Sequence, residues 1–183
     1  MILLFAALAC IATVPLAGGR LRALAGLQLR AVWAVVIAAL MQVLITSALP
    51  GGSHALHVGL HATSYLLVAL FLIANIRLVG MPILALGATL NMLAIAVNGG
   101  VMPASATALR IAGIDTSRGF ANSDALQHPH LLPIGDIIPI PGPWPIGNVL
   151  SVGDLLIFTG MLVLLHVTCG TRLTRRPQAT VRT

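Results

Sequence analysis

Five long apolar runs, separated by breaks rich in glycine, proline or arginine, constrain this chain more than any other feature. About 20 apolar residues at 1.5 Å rise each form a helix that crosses a lipid bilayer. The runs cover residues 1–17, 31–49, 57–76, 81–98 and 149–169. We therefore predict an all-α polytopic membrane bundle of about five transmembrane helices in a single domain. Residues 99–148 are then an outer segment and residues 170–183 a cytoplasmic tail.

The composition favours a membrane protein over a soluble globular protein, a disordered chain or a conventional nucleic-acid-binding protein. Hydrophobic residues make up 58% of the chain and charged residues 8%, whereas about a quarter of a soluble domain is charged. The net charge of +6 comes from arginines at the ends of the apolar runs, a distribution that reports membrane orientation rather than nucleic-acid binding. The expected partners are the lipid bilayer and either another membrane protein or a second copy of the chain, with no nucleic acid.

The arginines predict which way the chain crosses the membrane, because short cytoplasmic loops are enriched in basic residues. Five predicted spans place most arginines on one side, at Arg20, Arg22, Arg30, Arg77, Arg172, Arg175, Arg176 and Arg182. The other side holds Arg110 and Arg118. This pattern predicts a multi-pass protein of the plasma (inner) membrane, with its N-terminus outside and its C-terminus in the cytoplasm.

The outer segment has an unusual composition. Residues 133–145 read PIGDIIPIPGPWP, with a proline at five of these positions. Such spacing forbids a helix, and the isoleucines and Trp144 are too apolar for a solvated linker. We predict an irregular, proline-rich extracytoplasmic cap on the helix ends, with a re-entrant loop as the alternative.

A few polar residues in or beside the apolar runs are candidates for a binding site. Asn91 and Asn98 are seven residues apart on one helical face, where asparagine commonly joins helices by hydrogen bonds. The alternative is a polar pathway through Asn91, Gln42 and Thr46, which requires the second and fourth runs to be neighbours. Asp154 is either an intramembrane acid with a function or, if Ser151 is the N-cap, a first-turn residue. If Asn98, Asp136 and Asp154 converge, they either hold the outer segment or bind a cation or polar solute.

The histidines suggest a second kind of site. His54, His57 and His61 share one helical face, and His128 and His130 lie close together in the outer segment. A pair from the helix with a loop histidine would make a zinc or copper site, with His57, His61, His128 and His130 as the candidate ligands. The alternative is interfacial histidines that bond loop carbonyls.

Three further residues are predicted to be structural. Cys10 and Cys169 have no CxxC partner, which argues against a disulfide framework or a thiolate metal site. They are interpreted as small buried hydrophobic residues. His166, near the end of the fifth run, is interpreted as an interfacial residue.

Three motifs carry a resemblance to a known family. These are NGGVMP at 98–103, GDII at 135–138 and SVGD at 151–154. With them the chain resembles an uncharacterised family of small bacterial multi-pass membrane proteins, a domain of unknown function with NGGxMP and SxGD motifs. The resemblance covers nearly the whole chain, and it implies an inner-membrane location and no assigned activity.

The chain lacks the common catalytic and nucleotide-binding motifs, namely GxxxxGK[ST], GxGxxG, HExxH and GxSxG, and it contains no glutamate. We therefore favour a non-enzymatic subunit, assembly factor or sensor. One alternative is a small solute or ion carrier that uses Asn98, Asp136 and Asp154. A second is an extracytoplasmic metal-binding protein or enzyme built on the histidines.

Overall fold

The computed structural model describes residues 2–47, 54–114, 123–142 and 147–174. These residues form six α-helices and four short strands, and each apolar run of the sequence overlaps one of the five long helices. The helices are α1 (Ile2–Leu16), α2 (Val32–Ser47), α3 (His54–Ala74), α4 (Met81–Val97), α5 (Ala106–Ala112) and α6 (Val152–Thr168). The strands are β1 (Met102–Pro103), β2 (Ser123–Asp124), β3 (Asp136–Ile140) and β4 (Asn148–Ser151).

The ends of α4 follow from local chemistry. Gly80 is the N-cap of the helix and has a φ of 90°. Pro82 lies in the first turn, where a backbone N–H would have no acceptor within the helix, so the lack of an N–H in proline costs no hydrogen bond. After the helix, Gly99 and Gly100 have φ values of 69° and 94°. This left-handed backbone suits glycine and stops the helix, so the chain leaves α4 toward β1.

The long helices pack as two pairs. Helix α4 packs along α6, and α2 packs along α3, whereas the contact between the pairs, through α3 and α4, is less extensive. Helix α1 also packs against α6. Around that contact Cys10, Val14, Leu165 and Cys169 form a buried apolar cluster.

Glycines allow α4 and α6 to approach closely. A Cβ added at Gly87 would lie 2.5 Å from the Gly153 carbonyl oxygen, and one added at Gly160 would lie 2.7 Å from the Gly80 carbonyl oxygen. Gly80 and Gly87 are seven residues apart, as are Gly153 and Gly160, so each pair lies on one helical face two turns apart. Because Gly80 lies beside Gly160 and Gly87 lies beside Gly153, the two helices run antiparallel.

The described parts of the outer segment, residues 99–114, 123–142 and 147–148, contain regular elements that the sequence does not predict. Strand β1 pairs in parallel with β2, and β3 pairs antiparallel with β4, placing Asp136 opposite Ser151. Pro139 lies within β3, where a two-stranded sheet tolerates it because each strand is an edge. Helix α5 packs against these strands through a cluster of buried residues at Ala104, Ala108, Leu109, Ala112 and Val149. The prediction of an irregular cap is therefore corrected.

The predicted all-α polytopic membrane bundle is wrong. The structure contains two small sheets, and within the described ranges no helix combines the length and the apolar character required to cross a bilayer. Helices α1 and α2, for example, have 15 and 16 residues, fewer than the roughly 17–25 of a membrane span. The same finding contradicts the predicted multi-pass inner-membrane localisation with an outside N-terminus and a cytoplasmic C-terminus.

Candidate functional site

A cavity of about 670 Å³ lies between the two helix pairs. One face of each of α2, α3, α4 and α6 lines it, as the helical spacing of the lining residues shows. On α6 the lining residues are Asp154, Ile157, Phe158 and Met161. On α4 they include Ala85, Ala88, Met92 and Ile95. The incomplete packing between the two pairs therefore leaves a space with four helical walls.

The cavity has the properties of a small-molecule site. Its volume falls within the range of roughly 300–1,000 Å³ of ligand pockets, which are mostly apolar with a few polar groups. Tyr65 and Phe158 contribute aromatic rings to the lining. Burial raises the pKa of Tyr65, so its phenol stays neutral. Thr89 also lines the cavity and is exposed, so the cavity reaches the molecular surface at α4.

Asn91, Ser151 and Asp154 form a hydrogen-bonded group in the cavity wall. Asn91 Nδ2 donates to Asp154 Oδ1 at 2.9 Å, and Ser151 Oγ donates to Asn91 Oδ1 at 2.8 Å. Ser151 is the N-cap of α6: its hydroxyl accepts from the Asp154 amide, and its own amide donates to Asp154 Oδ2, both at 2.9 Å. This capping box fixes the carboxylate at the start of the helix. Asp154 thus lies in the first turn and also lines the cavity.

A second polar pair joins the other two helices. Gln42 Nε2 on α2 donates to Ser64 Oγ on α3 at 2.7 Å, and Ser64 Oγ donates to the His61 carbonyl at 2.8 Å. Gln42 and Ser64 both line the cavity. Side-chain hydrogen bonds thus join α4 to α6 and α2 to α3, and Asn91, Asp154, Gln42 and Ser64 all line the same cavity.

The structure places Asn98 and Asp136 differently from the Asn91, Ser151 and Asp154 group. The Asn98 side chain binds the backbone of His130, donating to its carbonyl and accepting from its amide, both at 2.8 Å. It thereby holds the outer segment to the end of α4. Asp136 is buried, its backbone pairs opposite Ser151, and its carbonyl accepts from the Ser105 amide at 2.9 Å. The backbone of Asp136 thus lies beside Ser151 of the capping box, whereas the Asn98 side chain bonds the backbone of His130 and not Asp154.

Of the four candidate metal ligands, the structure describes the side chains of His61, His128 and His130. His61 is buried and stacks on Tyr65 with ring centroids 6.1 Å apart, while His128 and His130 are exposed. The side chain of His57 lies outside the described residues. Within the described part of the chain, no group of three or more His, Cys, Asp or Glu side chains is placed to hold a metal ion. The zinc or copper site stays a prediction.

His166 has a different position from the interfacial one that the sequence suggests. It is buried, and its two ring nitrogens lie 3.0 Å from the hydroxyls of Thr13 and Thr171. The Thr13 hydroxyl donates its proton to the Cys10 carbonyl, so it accepts from His166 Nε2–H and favours that tautomer. The ring therefore links α1, α6 and the turn after α6.

Sequence reasoning missed two features of the site. Gln42 and Ser64 lie in different apolar runs, and only the packing of α2 against α3 brings them together as a hydrogen-bonded pair. The close approach of α4 and α6 has a signal in the sequence, the seven-residue spacing of Gly80 with Gly87 and of Gly153 with Gly160. That spacing identifies the helix pair that brings Asn91 to Asp154.

Comparison with known proteins identifies relatives of the chain, but none with a described activity. The sequence model of one family, described as "Family of unknown function (DUF5317)", matches residues 26–166. An "Uncharacterized protein" of Thermotoga maritima is 33% identical over 100 residues, which is 55% of this chain and 58% of that protein. No solved structure matches the chain. The predicted resemblance to a family of unknown function is confirmed. The comparisons do not confirm that the family is a membrane family or that the NGGxMP and SxGD motifs characterise it.

Proposed function

Because the chain belongs to the DUF5317 family of unknown function, its role has to be inferred from its own site, and we propose that it is a non-enzymatic binding protein. In this proposal the cavity between α2, α3, α4 and α6 takes a small, mainly apolar molecule. A bound molecule would contact both helix pairs and so change how they pack against each other. Such a coupling of binding to packing is what a sensor requires. The observation that carries the proposal is the 670 Å³ cavity with its apolar walls and few polar groups.

The arrangement of the polar groups supports binding rather than catalysis. The Ser151 hydroxyl donates to the Asn91 amide oxygen rather than to a general base, so it lacks the activation that a serine nucleophile requires. Both oxygens of Asp154 accept hydrogen bonds that hold the side chain in place. Fixed polar groups in an apolar wall orient a ligand and give specificity.

Binding of the neutral fluorescent probe N-phenyl-1-naphthylamine tests the proposal. We expect the probe to bind the wild-type protein with increased fluorescence. Ala88→Leu fills part of the cavity and should weaken binding about tenfold or more. The matched control is Ala96→Leu on the same helix, because Ala96 is exposed and does not line the cavity. Equal affinities for the two variants, or no binding to the wild-type protein, would contradict the proposal.

An exposed stripe on α2 favours a second candidate function, that of a self-associating subunit. Trp33, Val36, Leu40 and Val43 are 58%, 50%, 64% and 59% exposed. Their spacing of three, four and three residues is the a and d pattern of helices that pair. In this second proposal α2 pairs with α2 of another copy of the chain.

Light scattering coupled to size-exclusion chromatography tests self-association. Leu40→Glu should convert a dimer into a monomer, because it places a charge in the apolar contact. Leu66→Glu is the control, since Leu66 is 68% exposed but lies on α3. A monomeric wild-type protein would exclude this candidate.

A further inference from the structure

We propose that the ligand of the cavity is an apolar organic cation, such as an aryl-alkyl amine, whose ammonium group binds Asp154. This inference rests on the proposed function and names the chemical class of its ligand. Three observations carry it: the hydrogen bonds of Asp154, the charges around the cavity and the side chains that follow Asp154 along α6.

The carboxylate of Asp154 has neutral partners only, within the described chain. Its two oxygens accept from the Asn91 amide group and the Ser151 backbone amide, both at 2.9 Å. A carboxylate offers about four acceptor positions, so about two remain for a ligand. Asp154 is half-buried and lines the cavity, so a bound molecule can reach these positions.

No cationic side chain lines the cavity among the residues that the structure describes. Asp154 and Tyr65 are its ionisable lining residues, and the remainder are apolar or neutral polar groups. The N-terminus of α6 offsets part of the negative charge, equivalent to about half an elementary charge. The cavity therefore keeps a net negative potential, which its apolar walls strengthen because they exclude water.

The wall beside Asp154 suits an apolar body attached to the cation. Ile157, Phe158 and Met161 follow Asp154 on the same face of α6, and all three line the cavity. Phe158 is one turn from the carboxylate, so its ring is available to an ammonium group or to the adjoining carbon chain. A hydrated metal ion fits this wall poorly, since Mg²⁺ and Ca²⁺ require six or more oxygen ligands.

Three probes that share one body and differ in the polar group test the inference by calorimetry at pH 7.5. They are 4-phenylbutylamine, 4-phenylbutanol and 5-phenylvalerate, which carry a cationic, a neutral and an anionic group on the same phenylbutyl body. We expect the wild-type protein to bind the amine about tenfold or more tighter than the alcohol, and the carboxylate weakest. Asp154→Asn should bring the amine down to the affinity of the alcohol and leave the alcohol unchanged. Asp154→Glu keeps the charge and should retain part of the preference for the amine.

The outcomes separate this inference from the proposed function. Equal binding of amine and alcohol by the wild-type protein would overturn the inference and leave the cavity as an apolar binding site. A preference for the amine that survives in Asp154→Asn would overturn the role of Asp154. Failure of all three probes to bind would overturn the proposed function as well. If Asp154→Asn does not fold, the order of affinities of the three probes for the wild-type protein decides the ligand class. The preference of Asp154→Glu for the amine over the alcohol then decides whether the ammonium group binds at position 154, and an unchanged preference would overturn that role.

Discussion

At the scale of single residues, Asn91 connects the two helices that carry most of the polar groups of the site. Its amide nitrogen donates to Asp154 on α6, and its amide oxygen accepts from Ser151, the N-cap of that helix. The sequence identifies all three residues as candidates, because each is polar within or beside an apolar run. It does not show that they contact one another, since that depends on the register of α4 against α6. A Cβ at Gly153 would meet the Asn91 amide oxygen, so the glycine makes room for the contact.

Replacing Asn91 by leucine should destabilise the protein. The change removes the hydrogen-bond partners of Asp154 Oδ1 and of the Ser151 hydroxyl, with an expected loss of about 1–2 kcal/mol in the free energy of unfolding. Thr89→Val is the control on the same helix, because Thr89 is exposed and, among the described residues, bonds only the carbonyl of Ala85 in its own helix. It should change stability by about 0.5 kcal/mol or less. Urea denaturation measures both, and equal effects would argue against the role of Asn91.

The two cysteines should be unreactive in the folded protein. Cys10 and Cys169 are 7% and 4% exposed, and burial raises the pKa of both thiols. The thiolate is the reactive form, and a raised pKa keeps the neutral thiol to higher pH than in the unfolded chain. At pH 8 we expect a disulfide reagent to label both residues roughly 100-fold more slowly than in denaturant. Rapid labelling of either cysteine without denaturant would contradict the burial.

At the scale of elements, the two helix pairs explain why the cavity exists. Helices α4 and α6 approach closely through glycines, and α2 packs closely on α3, so the less extensive contact lies between the pairs. The sequence predicts the positions of these helices because apolar runs are interrupted by helix-ending residues such as Gly80 and Gly99. It does not predict which helices pair, since most of the apolar faces are chemically alike. The short strands of the outer segment are missed because five prolines suggest irregular structure, whereas β3 accommodates Pro139 at an edge.

Gly87→Ala tests the close approach of α4 and α6. The added Cβ would lie 2.5 Å from the Gly153 carbonyl oxygen and 2.9 Å from the Ile157 amide nitrogen, so the helices have to separate. We expect a loss of about 1–3 kcal/mol in the free energy of unfolding. Gly59→Ala on α3 is the matched control, because a Cβ there has no atom within 4 Å. The control should be stabilised by about 0.5–1 kcal/mol through its better helix propensity, and a similar gain in Gly87→Ala would contradict the packing.

Across the whole molecule, composition and hydropathy predict a membrane bundle that the described helices do not support. A chain with 58% hydrophobic residues in five runs predicts membrane-spanning helices, yet no described helix meets the requirements for a span. Hydropathy counts apolar residues but does not say what covers them, whether a neighbouring helix, a ligand or another chain. Part of that surface lines the cavity, and part is exposed on α2 and elsewhere. Large exposed apolar patches mark binding surfaces, which agrees with the two functions proposed above.

A crystal structure of the protein bound to 4-phenylbutylamine would show whether the cavity binds an apolar amine through Asp154. We predict the phenyl ring inside the cavity beside Phe158 and the nitrogen at roughly 2.7–2.9 Å from an Asp154 carboxylate oxygen. The hydrogen bonds of Asn91 and Ser151 to Asp154 should be retained. An amine bound outside the cavity, for instance on the exposed face of α2, or a cavity closed by contact between the two helix pairs, would contradict the claim.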